Sequence, residues 1–264
     1  MSRSVVILGC GSSGGVPRVG GEWGACNPDN PKNRRRRCSI LIEQTRPEGE
    51  TIVLVDTSPD LREQLLETGT TRLDGILITH SHADHTHGID DVRPLVIKMR
   101  RRVDVYMDDS TEAALRARFS YVFETPIGSQ YSPLMNPMEL RHGVGVSIAG
   151  PGGSVAAVPF RLNHGDMDSL GFRIGDMAYT PDVVAIPDAS VEFLAGLDLW
   201  IIDALRYTRH PSHFSLAEAL DWIARMKPRR AVLTNLHTDL DYDALRTELP
   251  KGVMVAHDGM RLTF

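Results

Sequence analysis

Gly75-Ile76-Leu77-Ile78-Thr79-His80-Ser81-His82-Ala83-Asp84-His85 is the stretch on which the reading of this chain turns. Gly75–Thr79 is mostly apolar and β-branched, and reads as a buried strand. The polar residues that follow read as a loop at the strand's end, where a rigid backbone positions side chains for chemistry. His80 and His82 are separated by one residue, so an extended chain points both the same way. Asp84 and His85 follow as the chain turns into a helix. Four metal-competent side chains therefore fall within six residues. Imidazole and carboxylate suit zinc, and also manganese or iron. A lone His-x-His pair reads as a polar turn; the longer pattern is much rarer by chance.

Outward from this stretch, short apolar runs bounded by Gly, Pro, Asp or charged residues predict strands. They are Ser4–Leu8, Cys38–Ile42, Thr51–Val55, Val103–Met107, Val144–Ile148, Ser154–Leu162, Leu170–Ile174, Leu199–Asp203, Arg230–Thr234 and Val253–Ala256. Helices are predicted over Ser58–Thr68, Ser110–Phe119 and Ser215–Met226, the last with Ser215 and Glu218 at capping-box spacing. Segment 120–142 holds Pro126, Pro133 and Pro137 and is the longest stretch without clear periodicity, so it reads as a loop. No repeat or low-complexity linker divides the chain. The pattern predicts an α/β protein of two mixed sheets packed face to face, with helices on the outer faces, as a single domain over 1–264.

Composition limits the function classes. With 42% hydrophobic and 24% charged residues, the chain is ordinary for a soluble globular protein, not a disordered one. A net charge of −5 argues against a surface that coats nucleic acid. No apolar run suits a membrane span or a signal peptide. Cys10, Cys26 and Cys38 show no CxxC spacing, which predicts reduced thiols and a cytoplasmic setting.

Four donors in one turn cannot cage two metals, so others must come from elsewhere. Polar residues at the ends of other predicted strands supply candidates: His164 after Arg161-Leu162-Asn163, Asp182 after Ala178-Tyr179-Thr180-Pro181, and His237 after Ala231–Leu233.

With these positions the chain resembles the metallo-β-lactamase superfamily. The resemblance runs over nearly the whole sequence: the opening Gly9-Cys10-Gly11-Ser12-Ser13-Gly14-Gly15-Val16-Pro17, the His80–His85 motif, Leu162-Asn163-His164, Tyr179-Thr180-Pro181-Asp182 and His237. Within the superfamily it is most similar to the phosphonate-pathway cyclic phosphodiesterase branch, through Gly15-Val16-Pro17, His213 ahead of the Ser215 helix, and Asp258-Gly259-Met260. The resemblance implies a four-layer αβ/βα sandwich and two divalent ions, zinc or manganese. His80, His82 and His164 would hold the first ion; Asp84, His85 and His237 the second; Asp182 would bridge them. Two departures stand out. Some relatives carry a Cys-x-Cys-x-x-Cys zinc site in the N-terminal loop, where only Cys26 remains. Many also place the last ligand one residue after His237 in Asn235-Leu236-His237-Thr238.

The function implied is metal-dependent cleavage of a phosphodiester in a small cyclic or nucleotide-like substrate, by a hydroxide bridging two ions. Asp84 is expected both to ligate and to orient the hydroxide. His213 is the expected proton donor or phosphate contact, just before a predicted helix N-terminus. Ser12 and Ser13 are candidate phosphate contacts, against the simpler reading of a tight turn. His87 reads as a candidate hydrogen-bond donor to a carboxylate, and Asp203 as an acceptor for a ligating imidazole. His142, His210 and His257 read as surface or packing residues. The basic runs Lys32–Arg37 and Lys98–Arg102 suit an anionic substrate. Alternatives within the superfamily are a tRNA 3′-processing endonuclease, though no tRNA-binding arm is evident, and a thioester or lactone hydrolase. A non-catalytic nucleotide-binding protein is the alternative outside enzymes. A homodimer is the prior for assembly.

Overall fold

The structure is a computed structural model that describes residues 2–264. The first half of the chain builds one sheet from β1 (Ser2–Gly9), β2 (Ser39–Arg46), β3 (Gly49–Val55), β4 (Gly75–Leu77), β5 (Val103–Met107) and β6 (Met135–Glu139). Its first three strands run antiparallel and its last three join in parallel. Parallel neighbours require crossovers. These carry α1 (Leu61–Glu67), α2 (Ala83–Thr86), α3 (Arg93–Met99) and α4 (Asp109–Phe123).

The second half repeats the plan with β7 (Val146–Ile148), β8 (Val155–His164), β9 (Met167–Ile174), β10 (Met177–Thr180), β11 (Leu199–Asp203), β12 (Arg230–Thr234) and β13 (Val253–Val255). Strands β7 to β10 are antiparallel and β10 to β13 parallel. Here α5 (Asp188–Val191), α6 (Leu216–Met226) and α7 (Tyr242–Glu248) lie on the connections. A last strand, β14 (Arg261–Thr263), returns to the first sheet and pairs antiparallel with β1. Each sheet thus has seven strands.

Strand periodicity explains the layers. In β1, Val5 and Ile7 join a buried cluster with Ile174, Leu199 and Ile201 of the other sheet, while Val6 and Leu8 pack on the opposite face with Leu61 and Leu65 of α1 and Leu115 of α4. In β11, Leu199 and Ile201 face inward, and Trp200 and Ile202 face outward with Leu216 of α6 and Leu245 of α7. Strands buried on both faces need apolar residues at nearly every position, which accounts for the continuous runs in the sequence. The four-layer α/β sandwich is as expected. Among the described residues no helix is long and apolar enough to cross a membrane.

Several boundaries differ from the sequence reading. Ser215 does cap α6 in a capping box with Glu218. Helix α1 begins later than predicted, after Asp60, and Ser58 instead hydrogen-bonds Asp60 N and Gln64. Asp108, not Ser110, caps α4 by accepting from Thr111 N at 2.8 Å. Segment 120–142 is not one loop: it holds the end of α4 and the strand β6. Pro137 lies inside β6 because β6 is an edge strand, where a missing N–H costs no ladder bond.

Candidate metal centre

The candidate donors stand at one edge of the sandwich, where strand ends from both sheets meet. His80 follows β4, His164 ends β8, and Asp182 follows β10. Ligand atoms of His80, His82, His164 and Asp182 all lie within 4.8 Å of one another. His164 Nε2 is 3.5 Å from Asp182 Oδ2 and 3.2 Å from His82 Nδ1. His80 Nε2 is 3.9 Å from Asp182 Oδ2. On the other oxygen, His85 Nε2 is 3.1 Å from Asp182 Oδ1, and 3.5 Å from Asp84 Oδ2.

The far sides of these rings are held by the protein. His85 Nδ1 donates to Asp56 Oδ2 at 2.7 Å, and His164 Nδ1 donates to the Ser212 carbonyl at 2.7 Å. Such contacts fix the tautomer and aim the opposite nitrogen at a metal. Asp56 is wholly buried after β3, at φ 66°, and also accepts from Thr79 N and Oγ1. The Nε2 atoms of His80 and His85 are buried without a hydrogen-bond partner. Buried polar atoms are rarely left so. Two such nitrogens on either side of one carboxylate fit a divalent cation.

Electrostatics agree with the geometry. Burial, reinforced by His85, drives His80 well below the ordinary imidazole value, and burial also lowers His164. Both shifts favour the neutral ring, the form that binds metal. Burial opposes charge on His85, but Asp182, Asp84 and Asp56 outweigh it and hold the ring well above its usual value. Asp182 is held well below the carboxylate range, since His85, His213 and His80 overcome its burial. Three carboxylates around one imidazole are a negative charge that a cation would balance.

His213 stands beside this set, with Nε2 3.8 Å from Asp182 Oδ2 and Nδ1 2.9 Å from Asp203 Oδ2. Burial lowers it, but the Asp203 carboxylate prevails and raises it to about 9. Asp203 thus serves His213, not one of the converged imidazoles. The cavity over the site measures 240 Å³; Ser12, Arg18, Asp84, Arg206, His213 and His237 line it, with Ser13 and His210 at its wall. Ser12 Oγ is buried there without a partner.

His237 is brought to the cavity but not into the converged group. Its Nε2 meets the Arg18 guanidinium and its Nδ1 contacts Asp239 Oδ1 at 2.9 Å. The place beside Asp182 is taken instead by Asn235, whose Nδ2 donates to the Pro181 carbonyl at 3.0 Å and lies 3.5 Å from Asp182 Oδ1. Among the described residues His87 reaches no carboxylate; its ring stands nearly perpendicular to that of Phe119. His142 accepts from the Arg161 backbone. All three cysteines are free and buried.

Sequence reasoning missed Asp56, Arg18 and Asn235. Asp56 carried a usable signal, a polar residue directly after a predicted strand, as with His80. Arg18 carried none, because its placement depends on the fold of the N-terminal loop, where it packs over Gly14: a Cβ there would lie 3.2 Å from Arg18 Cγ.

Comparison with known proteins bears on this arrangement. Residues 51–235 match the family model of a Beta-lactamase superfamily domain. The chain is 34% identical over 259 residues to a protein of Porphyromonas gingivalis named octanoyltransferase, in an alignment covering 97% of this chain and 50% of that protein. It therefore spans about half the length of that relative. It is 24% identical over 317 residues to coenzyme PQQ synthesis protein B of Xanthomonas oryzae, covering 98% of this chain and 99% of that one. Among solved structures, a diphosphatase of the PhnP family superposes with a TM-score of 0.89 at 35% identity, covering 100% of this chain and 98% of that one.

Proposed function

This chain belongs to the β-lactamase superfamily, and from that membership we propose a dinuclear metal-dependent phosphodiesterase that hydrolyses a small cyclic or nucleotide-like phosphate. The observation that carries the reading is the meeting of His80, His82, His164 and Asp182 beneath a cavity lined by Arg18 and Arg206. Metal-competent donors below and guanidinium groups above suit a phosphoryl group.

In this reading His80, His82 and His164 would hold one ion, Asp84 and His85 would hold a second, and Asp182 would contribute to both. His237 would have to give up its contact with Arg18 to join the second set. Zinc suits the donors best and manganese is also accommodated. Bound ions of this kind supply Lewis acidity toward a phosphoryl oxygen and activate water near neutral pH. The protein's own groups do the rest. Arg18, Arg206 and the Ser12 hydroxyl orient the phosphate oxygens, with Ser13 beside them. Asp84 orients the attacking water. His213 gives the Nε2 proton to the leaving alkoxide, and Asp203 holds the imidazolium in place through Nδ1.

The phosphodiesterase reading is supported by the 35%-identical PhnP-family diphosphatase. The acyl-transfer name belongs to a protein of which this chain spans half, and arginines over the cavity favour an anionic phosphate over a neutral acyl carbonyl. The test is turnover by purified, metal-loaded protein of a panel of cyclic and linear phosphodiesters. Release of the phosphomonoester from at least one is expected; inertness toward the whole panel would overturn the reading.

A further inference from the structure

A cavity of 240 Å³ is smaller than the roughly 300–1,000 Å³ of pockets that enclose drug-sized ligands. It holds a phosphoryl group and its nearest atoms, so the remainder of a substrate must lie outside it. His82 belongs both to this cavity and to a second depression of 540 Å³, lined by His82, Ala83, His87, Arg118 and Phe119. No other depression described here shares a residue with the metal site.

Each part of this second depression is anchored. Helix α4 loses helical geometry at Phe119, with φ −136° and ψ 43°, beside the motif. Phe119 packs on the cluster beneath the outer helices and stands nearly perpendicular to the His87 ring, with ring centroids 5.4 Å apart and planes at 81°. The preceding residue, Arg118, donates through Nη1 to the Ser81 carbonyl, which ties its guanidinium to the metal-motif loop. An aromatic ring, two imidazoles and a planar cation thus surround an open space that begins at a candidate metal ligand.

We propose that this depression is a subsite for a planar aromatic ring on the alcohol substituent of the phosphodiester, of which a nucleobase is the typical case. The proposal rests on the phosphodiesterase reading and names the substrate class within it. Ring faces and edges set at right angles suit offset or edge-on aromatic contact. The guanidinium adds cation–π attraction and can donate to ring carbonyls or nitrogens. An alkyl substituent uses neither.

The test compares two substrates with the same five-membered cyclic phosphate on ribose: adenosine 2′,3′-cyclic phosphate, and methyl β-D-ribofuranoside 2,3-cyclic phosphate, in which a methoxy group replaces the base. Metal-loaded wild type, Phe119→Leu and His87→Ala are assayed on both. Because base–aromatic stacking is sequence-tolerant but substantial, wild type should prefer the adenosine substrate by at least about 10-fold in kcat/KM, expressed in KM. That ratio should fall toward unity in both variants. His87 is exposed, so its variant keeps the test valid even where Phe119→Leu disturbs packing. A wild-type ratio near one, or a ratio preserved in both variants, overturns the subsite and leaves the phosphodiesterase reading standing. Turnover of neither substrate, together with inertness toward the wider panel, overturns that reading and the subsite with it.

Discussion

Asp56 Oδ2 lies 2.7 Å from His85 Nδ1, on the opposite side of the ring from Asp182. Asp56 touches no cavity atom, yet it sets which nitrogen of His85 faces the proposed second ion. Contacts of this kind are worth about 10–100-fold in metal affinity when removed. Asp56→Asn should weaken one of two metal-binding steps by that factor and leave the other near its wild-type value. Calorimetric titration of the metal-free protein checks this; two unaltered steps would show that Asp56 only supports the fold.

His80→Ala and Asp182→Ala should each lower metal content as well as turnover. Asp182 is placed to serve both ions, so its loss should leave the protein nearly free of metal, whereas loss of His80 should spare part of it. Elemental analysis of the purified variants provides the measurement, and wild-type stoichiometry in Asp182→Ala would contradict the assignment.

Chelation should also destabilise the fold. Asp56, Asp84 and Asp182 crowd around His85 in a buried site, and their charge needs a counter-ion. A ligand at 100 times its dissociation constant adds about 2.7 kcal/mol of stability. The melting temperature should therefore fall on chelation and recover on adding zinc or manganese, and an unchanged melting temperature would speak against a resident metal.

His213→Ala should depend on the leaving group. General acid catalysis contributes about 10²–10⁴-fold where the leaving alkoxide needs a proton. Phosphodiesters with alkoxide leaving groups should lose about that much in kcat, and a p-nitrophenyl diester far less, because p-nitrophenolate departs unaided. Equal losses on both would reduce His213 to a phosphate contact.

Asp258 should give stability a pH dependence of its own. Its carboxylate accepts from Cys10 N at 3.2 Å and Arg36 N at 2.8 Å, and burial raises it to about 7 against those bonds. In the unfolded chain an aspartate titrates near about 3.9. The folded state binds the proton more tightly, so this stabilisation is whole below about pH 4 and is lost as pH rises through about 7. The unfolding free energy of wild type relative to Asp258→Asn should therefore fall between pH 4 and pH 8 in urea titrations with chelator present. A difference that stays constant with pH would refute it.

The candidate site was legible where its polar residues cluster in one motif or follow an apolar strand. His80 and His82 stand between β4 and α2, Asp84 and His85 begin α2, His164 ends β8 and Asp182 follows β10, so the dense His/Asp motif and polar residues at strand ends made them candidates, and the family resemblance assigned their roles. What stayed hidden depends on contacts between distant segments. Arg18 meets His237 across 219 positions, and that contact turns His237 from an expected ligand into a partner of a guanidinium. Asn235 could not be placed by spacing, since it reaches Asp182 through a left-handed backbone, φ 62°, at the end of β12. The layers were readable because double-sided burial leaves continuous apolar runs. Strand β6 was not, because Pro137 suggests a loop unless the strand is known to lie at an edge.

The return of β14 to the edge of β1 sets an order of events during synthesis. Strand β1 finds β2 early, but its other edge stays open until residues 261–263 have emerged, and Cys10 waits across 248 positions for the carboxylate of Asp258. Contacts so far apart in sequence form slowly, and an unpaired strand edge is a template for wrong pairing. The growing chain therefore carries an adhesive border from the emergence of β1 until that of β14, and its yield in a cell should be governed by how well chaperones shield that border.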